Sequence, residues 1–448
     1  MPTRYRATMT SEISATTADD PLPTAQALLA ADDIPGLIRH LRSAGDELPL
    51  LDFVRLLRDS AANMGFDDMV QTADRVLEMG DDPEEQAFAL YNFGYECIEY
   101  GIEFLAVRPL REAAERQPGV IQIRTELAAA YERSWRHRDA VATLRDFDGE
   151  LPWLARYQLA FNTLLAGDLV AAEEEFAALP EPEGEDRDEL APLREKVRTM
   201  LVRASAARLA DGALGPKDLR GWQFALTGGV LLTVSPYGFD SGMNGRWAMV
   251  SDTYGACAEA LRRLGVLLTA RGLRPTTVSL LPDRDSQIVG LAAARYFDLP
   301  AVPFAPERAD TLIVAYDLNA VDPETLAALR DRRPGQILFE RATKWTDPPA
   351  VAADAIGFLQ QIVHEPWGSG IRVVDGKAVD VEPDSRPVPE IVAELAAAEP
   401  YVDEGDGETP PDPDSVLESF VTEVADSWLA AHREYVGSPG PVMSSRFL

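Results

Sequence analysis

A fixed spacing in the first half of the chain constrains the fold more than any other feature. Within ALYNFGYECIEYGIEFLAVRPLREAAERQPGV (88–120), Phe93, Gly94, Ala106, Leu110 and Pro118 are matched 34 residues later by Leu127, Ala128, Ala140, Leu144 and Pro152. A further copy carries Leu159, Ala160, Ala172 and Phe176 at an offset of 32, followed by Leu179. Each copy reads as two amphipathic helices joined by a short turn. The small residues Gly94, Ala128 and Ala160 let the first helix approach its partner, and Ala106, Ala140 and Ala172 do the same on the second. A single pair leaves a raw apolar face that only a stacked neighbour covers, so an array is required for stability.

With its large–small pair on helix A, then Ala, a large apolar residue and Pro, this stretch resembles the tetratricopeptide repeat over about 50–184. Residues 50–82 read as a weaker copy, 24–46 as a helical cap, and APLREKVRTMLVRASAARLA (191–210) as an end cap. The expectation is a flexible lead-in over 1–20 and an all-α solenoid over 21–210. The resemblance implies a protein or peptide partner, for which Asn92, Tyr95, Arg124 and Tyr131 are candidates. Arg133, Arg136, His137 and Arg138 crowd one inter-helix turn, YERSWRHRDA (131–140). That turn is either a solvated corner or a receptor for an acidic peptide, the chain's own 403–414 run included. Glu126 stands where a carboxylate-clamp repeat wants a donor, which disfavours capture of chaperone tails.

After DGALGPKD the pattern changes to strands alternating with helices, the signature of a mainly parallel sheet covered by helices. Strands are expected in FALTGGVLLTVSP (224–236), TTVSLLP (276–282), AVPFA (301–305), TLIVAYD (311–317) and GQILFE (335–340). Helices are expected at 252–271, 286–297, 323–332 and about 350–363. IRVVDGKAVDVEP (371–383) reads as a hairpin turning at Asp375-Gly376. This gives an α/β domain over 218–385, then a helix and linker over 386–414. VDEGDGETPPDPD (402–414) contains six acids, three prolines and no base, the composition of a disordered linker. An amphipathic helix closes the pattern over 415–436, its stripe formed by Val416, Phe420, Val424 and Trp428.

The order strand, loop, helix, strand in 276–305, continued by LIVAYDLNAVDPETLAALR (312–330), resembles the core of a type I phosphoribosyltransferase over about 220–345. In that family two acids end a strand and hold ribose hydroxyls, and a Thr/Gly loop cradles the ribose phosphate. Asp317 matches the second acid. The resemblance therefore implies a small phosphorylated ligand, with Asp317 and Asn319 near the ribose and Asp283 and Arg284 in the pyrophosphate loop. The first acid is replaced by Tyr316, however, and the loop glycine by Asp322, whose carboxylate would oppose a phosphate. Pro323 removes an amide. Asp322-Pro323-Glu324 instead reads as a helix cap. Arg246, with Asp240 and Asn244 in the glycine-rich loop 236–252, is a further candidate for lining a cleft. The balance favours a non-catalytic ligand or docking module.

Composition narrows the rest. The 74 acidic and 42 basic residues give a formal charge of −32, which opposes phosphate backbones and anionic membranes. Nucleic acid and membrane are thus not expected partners. No run approaches the roughly 20 apolar residues that cross a bilayer, and MPTRYRATMTSEISATTADD lacks the apolar core of a leader, so the expected location is cytoplasmic. Lysine is scarce beside arginine and alanine, the usage of a GC-rich bacterium. Cys97 and Cys257, and His40, His137, His364 and His432, have no metal-ligand spacing, so no metal and no cofactor is expected.

Overall fold

The computed structural model describes residues 20–210, 212–374 and 377–444. Its chain divides into two compact units, 1–151 and 152–448. The first unit is helical: α1 (Pro21–Ala30), α2 (Ile34–Ala44), α3 (Leu50–Met64), α4 (Asp67–Leu77), α5 (Pro83–Glu99), α6 (Glu103–Arg116), α7 (Ile121–Arg133) and α8 (His137–Arg145). The expected small residues lie at the helix crossings. Ala106, Ala128 and Ala140 are fully buried, and a Cβ on Gly94 would stand 2.6 Å from Leu110 Cγ. The turn between paired helices places one left-handed residue, Gly101 at φ 74° and, 34 positions on, Trp135 at φ 60°. Tryptophan in that region is strained, so the turn geometry is set by the helix pair.

The second unit opens with α9 (Trp153–Leu165), α10 (Leu169–Ala178), α11 (Arg187–Ala207) and α12 (Leu219–Thr227). Then come β1 (Val230–Leu231), β2 (Trp247–Ser251), α13 (Tyr254–Ala270), β3 (Thr277–Leu280), α14 (Arg284–Tyr296), β4 (Ala301–Pro303) and β5 (Thr311–Ala315). Next are α15 (Pro323–Arg330), β6 (Ile337–Lys344), β7 (Ala355–His364), the hairpin β8 (Gly370–Val374) and β9 (Lys377–Val381), α16 (Val388–Ala397) and α17 (Asp414–Glu423). The turn dipeptide Asp375-Gly376 lies outside the described residues; Val374 pairs with Lys377 around it.

Seven strands form a parallel sheet in the order β1-β7-β6-β5-β3-β4, with β2 also on β7. Val230 pairs with Ala355 and Ser251 with His364, so β1 and β2 act as one edge strand interrupted by 232–246. Strand alternation sorts the core into two layers. Leu312, Val314, Ile337 and Phe339 pack with α13, α14, α16 and α17; Ile313, Ala315 and Leu338 pack with α9, α11, α12 and α15.

Five expectations are corrected. The strand expected over 224–236 is helical as far as Thr227, because Asp218 caps Gly221 N at 2.9 Å and Gly228, at φ 80°, ends the helix, and only Val230–Leu231 of it is strand. The stretch expected as a helix near 350–363 is β7, flanked on both sides; its apolar run Ala355–Leu359 is that of a strand buried on two faces. The linker 402–414 is held by side chains of its own unit, as described below. The last helix ends at Glu423, where Arg271 Nη2 donates to Ala425 O at 2.9 Å, although Val424 and Trp428 remain buried as the stripe required. The helices α9 to α11, read from sequence as the end of the solenoid, belong to the second compact unit and share its core through Leu164, Met200 and Leu201.

Candidate ligand cleft at the carboxyl edge of the sheet

From β3 the chain crosses through α14 to β4, whereas from β5 it crosses through α15 to β6 on the other side. The connections diverge between β3 and β5, and open α/β sheets bind ligands at the carboxyl end of such a switch point. Asp283 and Asp317 lie there. Asp283 caps α14 through Ser286 N at 2.8 Å, and its Oδ2 is buried without a hydrogen-bond partner. Asp317 accepts from Asn319 N at 2.9 Å, and burial raises its carboxyl above the ordinary range. The Asn319 amide donates to Asp347 O at 2.9 Å, and Arg284 Nη2 donates to Asp384 O at 2.6 Å. Asp322 accepts from Thr325 N at 2.9 Å, which holds its carboxyl below the usual range. Arg246 is buried against the Trp345 ring, 5.5 Å from its centroid, and burial pulls it down to about 10.

Sequence reasoning missed the two charges in the middle of β6. Glu340 is fully buried, accepting from Leu318 N at 2.7 Å and from the Thr343 hydroxyl; burial, and then Asp317, push it up to about 8. It is therefore a neutral acid at pH 7. Its neighbour Arg341 pairs with Asp252 at 2.7 Å. Asp252 also accepts from Thr253 N at 2.9 Å, from the Tyr316 hydroxyl at 3.0 Å and from Cys257 Sγ at 3.3 Å. Burial and then Asp252 drive the Tyr316 hydroxyl and Cys257 thiol well up, so neither is a nucleophile. An Arg directly after a Glu inside ILFERATK was the available signal, since a buried strand seldom holds two charges without partners.

This network floors a cavity of about 760 Å³ with apolar walls that include Trp247, Met249 and Phe358. Residues 401–413 close it as a strap. Asp412 is pinned by Arg220 at 2.8 Å and Arg263 at 3.0 Å, Asp414 by Arg262 at 2.6 Å, and Asp403 by the Tyr237 hydroxyl at 2.7 Å. Two acids of this run, Asp412 and Asp414, thus find arginines within their own unit, and Asp406 accepts from Gly238 N at 2.8 Å. No group of three or more His, Cys, Asp or Glu suited to a metal occurs among the described residues.

On the first unit, Tyr95 is 40% exposed and Asn92 half-buried, while Arg133, Arg136 and Arg138 are exposed. Arg136 pairs with Asp139 at 2.7 Å and lies over Tyr131, which is itself buried. Arg124 donates to Pro118 O at 3.1 Å and Thr143 O at 2.9 Å, so it braces the helix pair. No described helix is long and apolar enough to cross a membrane. No protein-family model matches the chain, and no curated protein and no solved structure matches it.

Proposed function

We propose that this is a protein-interaction protein, an adaptor of tetratricopeptide type in its first unit, whose α/β unit is a non-catalytic docking module. The observation that carries the non-catalytic reading is the commitment of the loop carboxylates to the backbone. Asp283, Asp317 and Asp322 each accept a nearby amide, and Arg284 is spent on a carbonyl. A phosphoribosyl site needs those amides turned toward the phosphate. On the first unit, Phe88, Asn92, Tyr95 and Glu99 follow one stripe of α5, with Phe88 47% exposed. Exposed aromatics at such spacing, beside the charged Glu126 and Arg133 of α7, suit an amphipathic peptide or protein surface.

The raised Asp317 at the switch point favours a second reading, a sensor of a ribose phosphate or nucleotide. Calorimetric titration of the full chain with phosphoribosyl pyrophosphate and nucleotides, with and without magnesium, separates the two. Silence agrees with the first reading. Magnesium-dependent binding abolished by Asp317→Ala would replace it with the second.

A further inference from the structure

A second cavity, of about 1070 Å³, lies at the opposite edge of the sheet. Its walls are α11, the segment 330–336 that leads into β6, and the segment 429–436. Residues just before three parallel strands meet near it: Gly228 before β1, Gln336 before β6 and Asp354 before β7. Arg203 reaches this point from α11. Its side chain is 5% exposed, and its guanidinium lies on Gly228, where a Cβ would stand 2.7 Å from Cζ. Arg203 Nε is buried without a hydrogen-bond partner.

The charges around Arg203 do not balance. Asp354, 2% exposed, is the only buried carboxylate in the group, and two other guanidiniums already share it: Arg433 Nη2 at 2.8 Å and Arg332 Nη2. Burial alone would raise the Asp354 carboxyl, yet Arg433 and Arg332 hold it below the usual range. Glu434 is taken by Lys196 at 3.1 Å. Against these four cations stand two carboxylates. On the rim, Asp331 faces His432 at 3.1 Å and Glu195 pairs with Arg198, and Asp188, Arg330 and Arg333 also line the cavity. The buried excess of two positive charges is costly unless something answers it.

We infer that this cavity is a binding site for a phosphate monoester, with Arg203 as the guanidinium that receives the dianion; Arg332, whose Nη1 and Nη2 donate to Ala431 O and Asp354, adds positive charge beside it. Planar guanidiniums match the oxygen geometry of phosphate, and a dianion cancels the excess where a monocarboxylate leaves half of it. The cavity has room for the organic part of a small metabolite beside the phosphate. The site stands apart from the carboxyl-edge cleft, so it does not depend on that cleft's assignment.

Calorimetry of the full chain in chloride buffer, with inorganic phosphate, glycerol phosphate and acetate as probes, tests the inference. Saturable binding of both phosphates, and not of acetate, is expected. For glycerol phosphate, affinity should strengthen from pH 5.5 to 7.5 as the monoester gains its second charge, whose pKa is about 6. Arg203→Met should abolish binding, and Arg203→Lys, which keeps the charge and loses the fork, should weaken it about tenfold or more. If Arg203→Met fails to fold, the lysine variant and the pH series carry the test. Absence of saturable phosphate binding, acetate binding as well as phosphate, or unchanged affinity in Arg203→Lys would overturn the assignment.

Discussion

Arg341 and Asp252 form an ion pair at 2.7 Å with 5% and 0% of their side chains exposed, joining the middle of β6 to the residue that follows β2 under the cleft. Removing one partner strands the other in the interior. Asp252→Ala should cost about 3–5 kcal/mol in urea unfolding. Tyr316→Phe, which removes one donor to the same carboxylate, should cost about 1 kcal/mol. Equal small losses would mean that water reaches Arg341.

Glu340 makes stability depend on pH. Its folded value of about 8 lies above the unfolded value of about 4.3, so the folded chain retains a proton that the unfolded chain has released. That contribution is fully present below pH 4.3 and is lost as pH rises toward 8, at roughly 1.4 kcal/mol per pH unit. Glu340→Gln mimics the protonated acid. It should flatten the decline and raise the melting temperature at pH 9 relative to the parent. A decline left unchanged or made steeper in the variant would show that the carboxylate is ionised in the folded chain.

The strap depends on Asp412, which answers both Arg220 and Arg263. Asp412→Ala should speed amide exchange across residues 401–413 while leaving exchange in β5 and β6 slow. Unaltered exchange in the strap would show that its prolines and other carboxylates suffice to hold it.

Close approach at Gly94 is required by Leu110. Gly94→Val should therefore destabilise the first unit by about 1–3 kcal/mol through overpacking. Combined with Leu110→Ala, the loss should be smaller than the sum of the two single variants, since the new side chain fills the space that leucine vacates. Simple additivity would place the two residues out of contact.

Sequence periodicity carried the architecture where one residue type had one reason to be there. The offset of 34 located α5 to α8 because small residues at helix crossings leave little choice. Asp322-Pro323-Glu324 announced the start of α15 by the same local logic, and Asp322 caps it. β7 was misread because a strand buried on both faces loses the alternation that distinguishes it from a buried helix. The strap was read as disorder because six carboxylates were counted without their partners; Arg220, Arg262 and Arg263 lie some 150 to 190 residues earlier. Asp317 and Asp283 were legible as strand-end and loop acids. Asp252, Arg341 and Arg203 were not, since each acquires its meaning from a partner that only the folded chain supplies.

The central claim is partner binding through α5 and α7. Its most direct test is quantitative affinity isolation from the cells that make the protein, comparing the full chain with a Tyr95→Asp, Arg133→Glu variant of equal melting temperature. The account predicts a defined protein partner enriched by the parent, lost with the variant, and binding the purified parent directly. Recovery unchanged by the variant, together with turnover of phosphoribosyl pyrophosphate that Asp317→Ala abolishes, would contradict it.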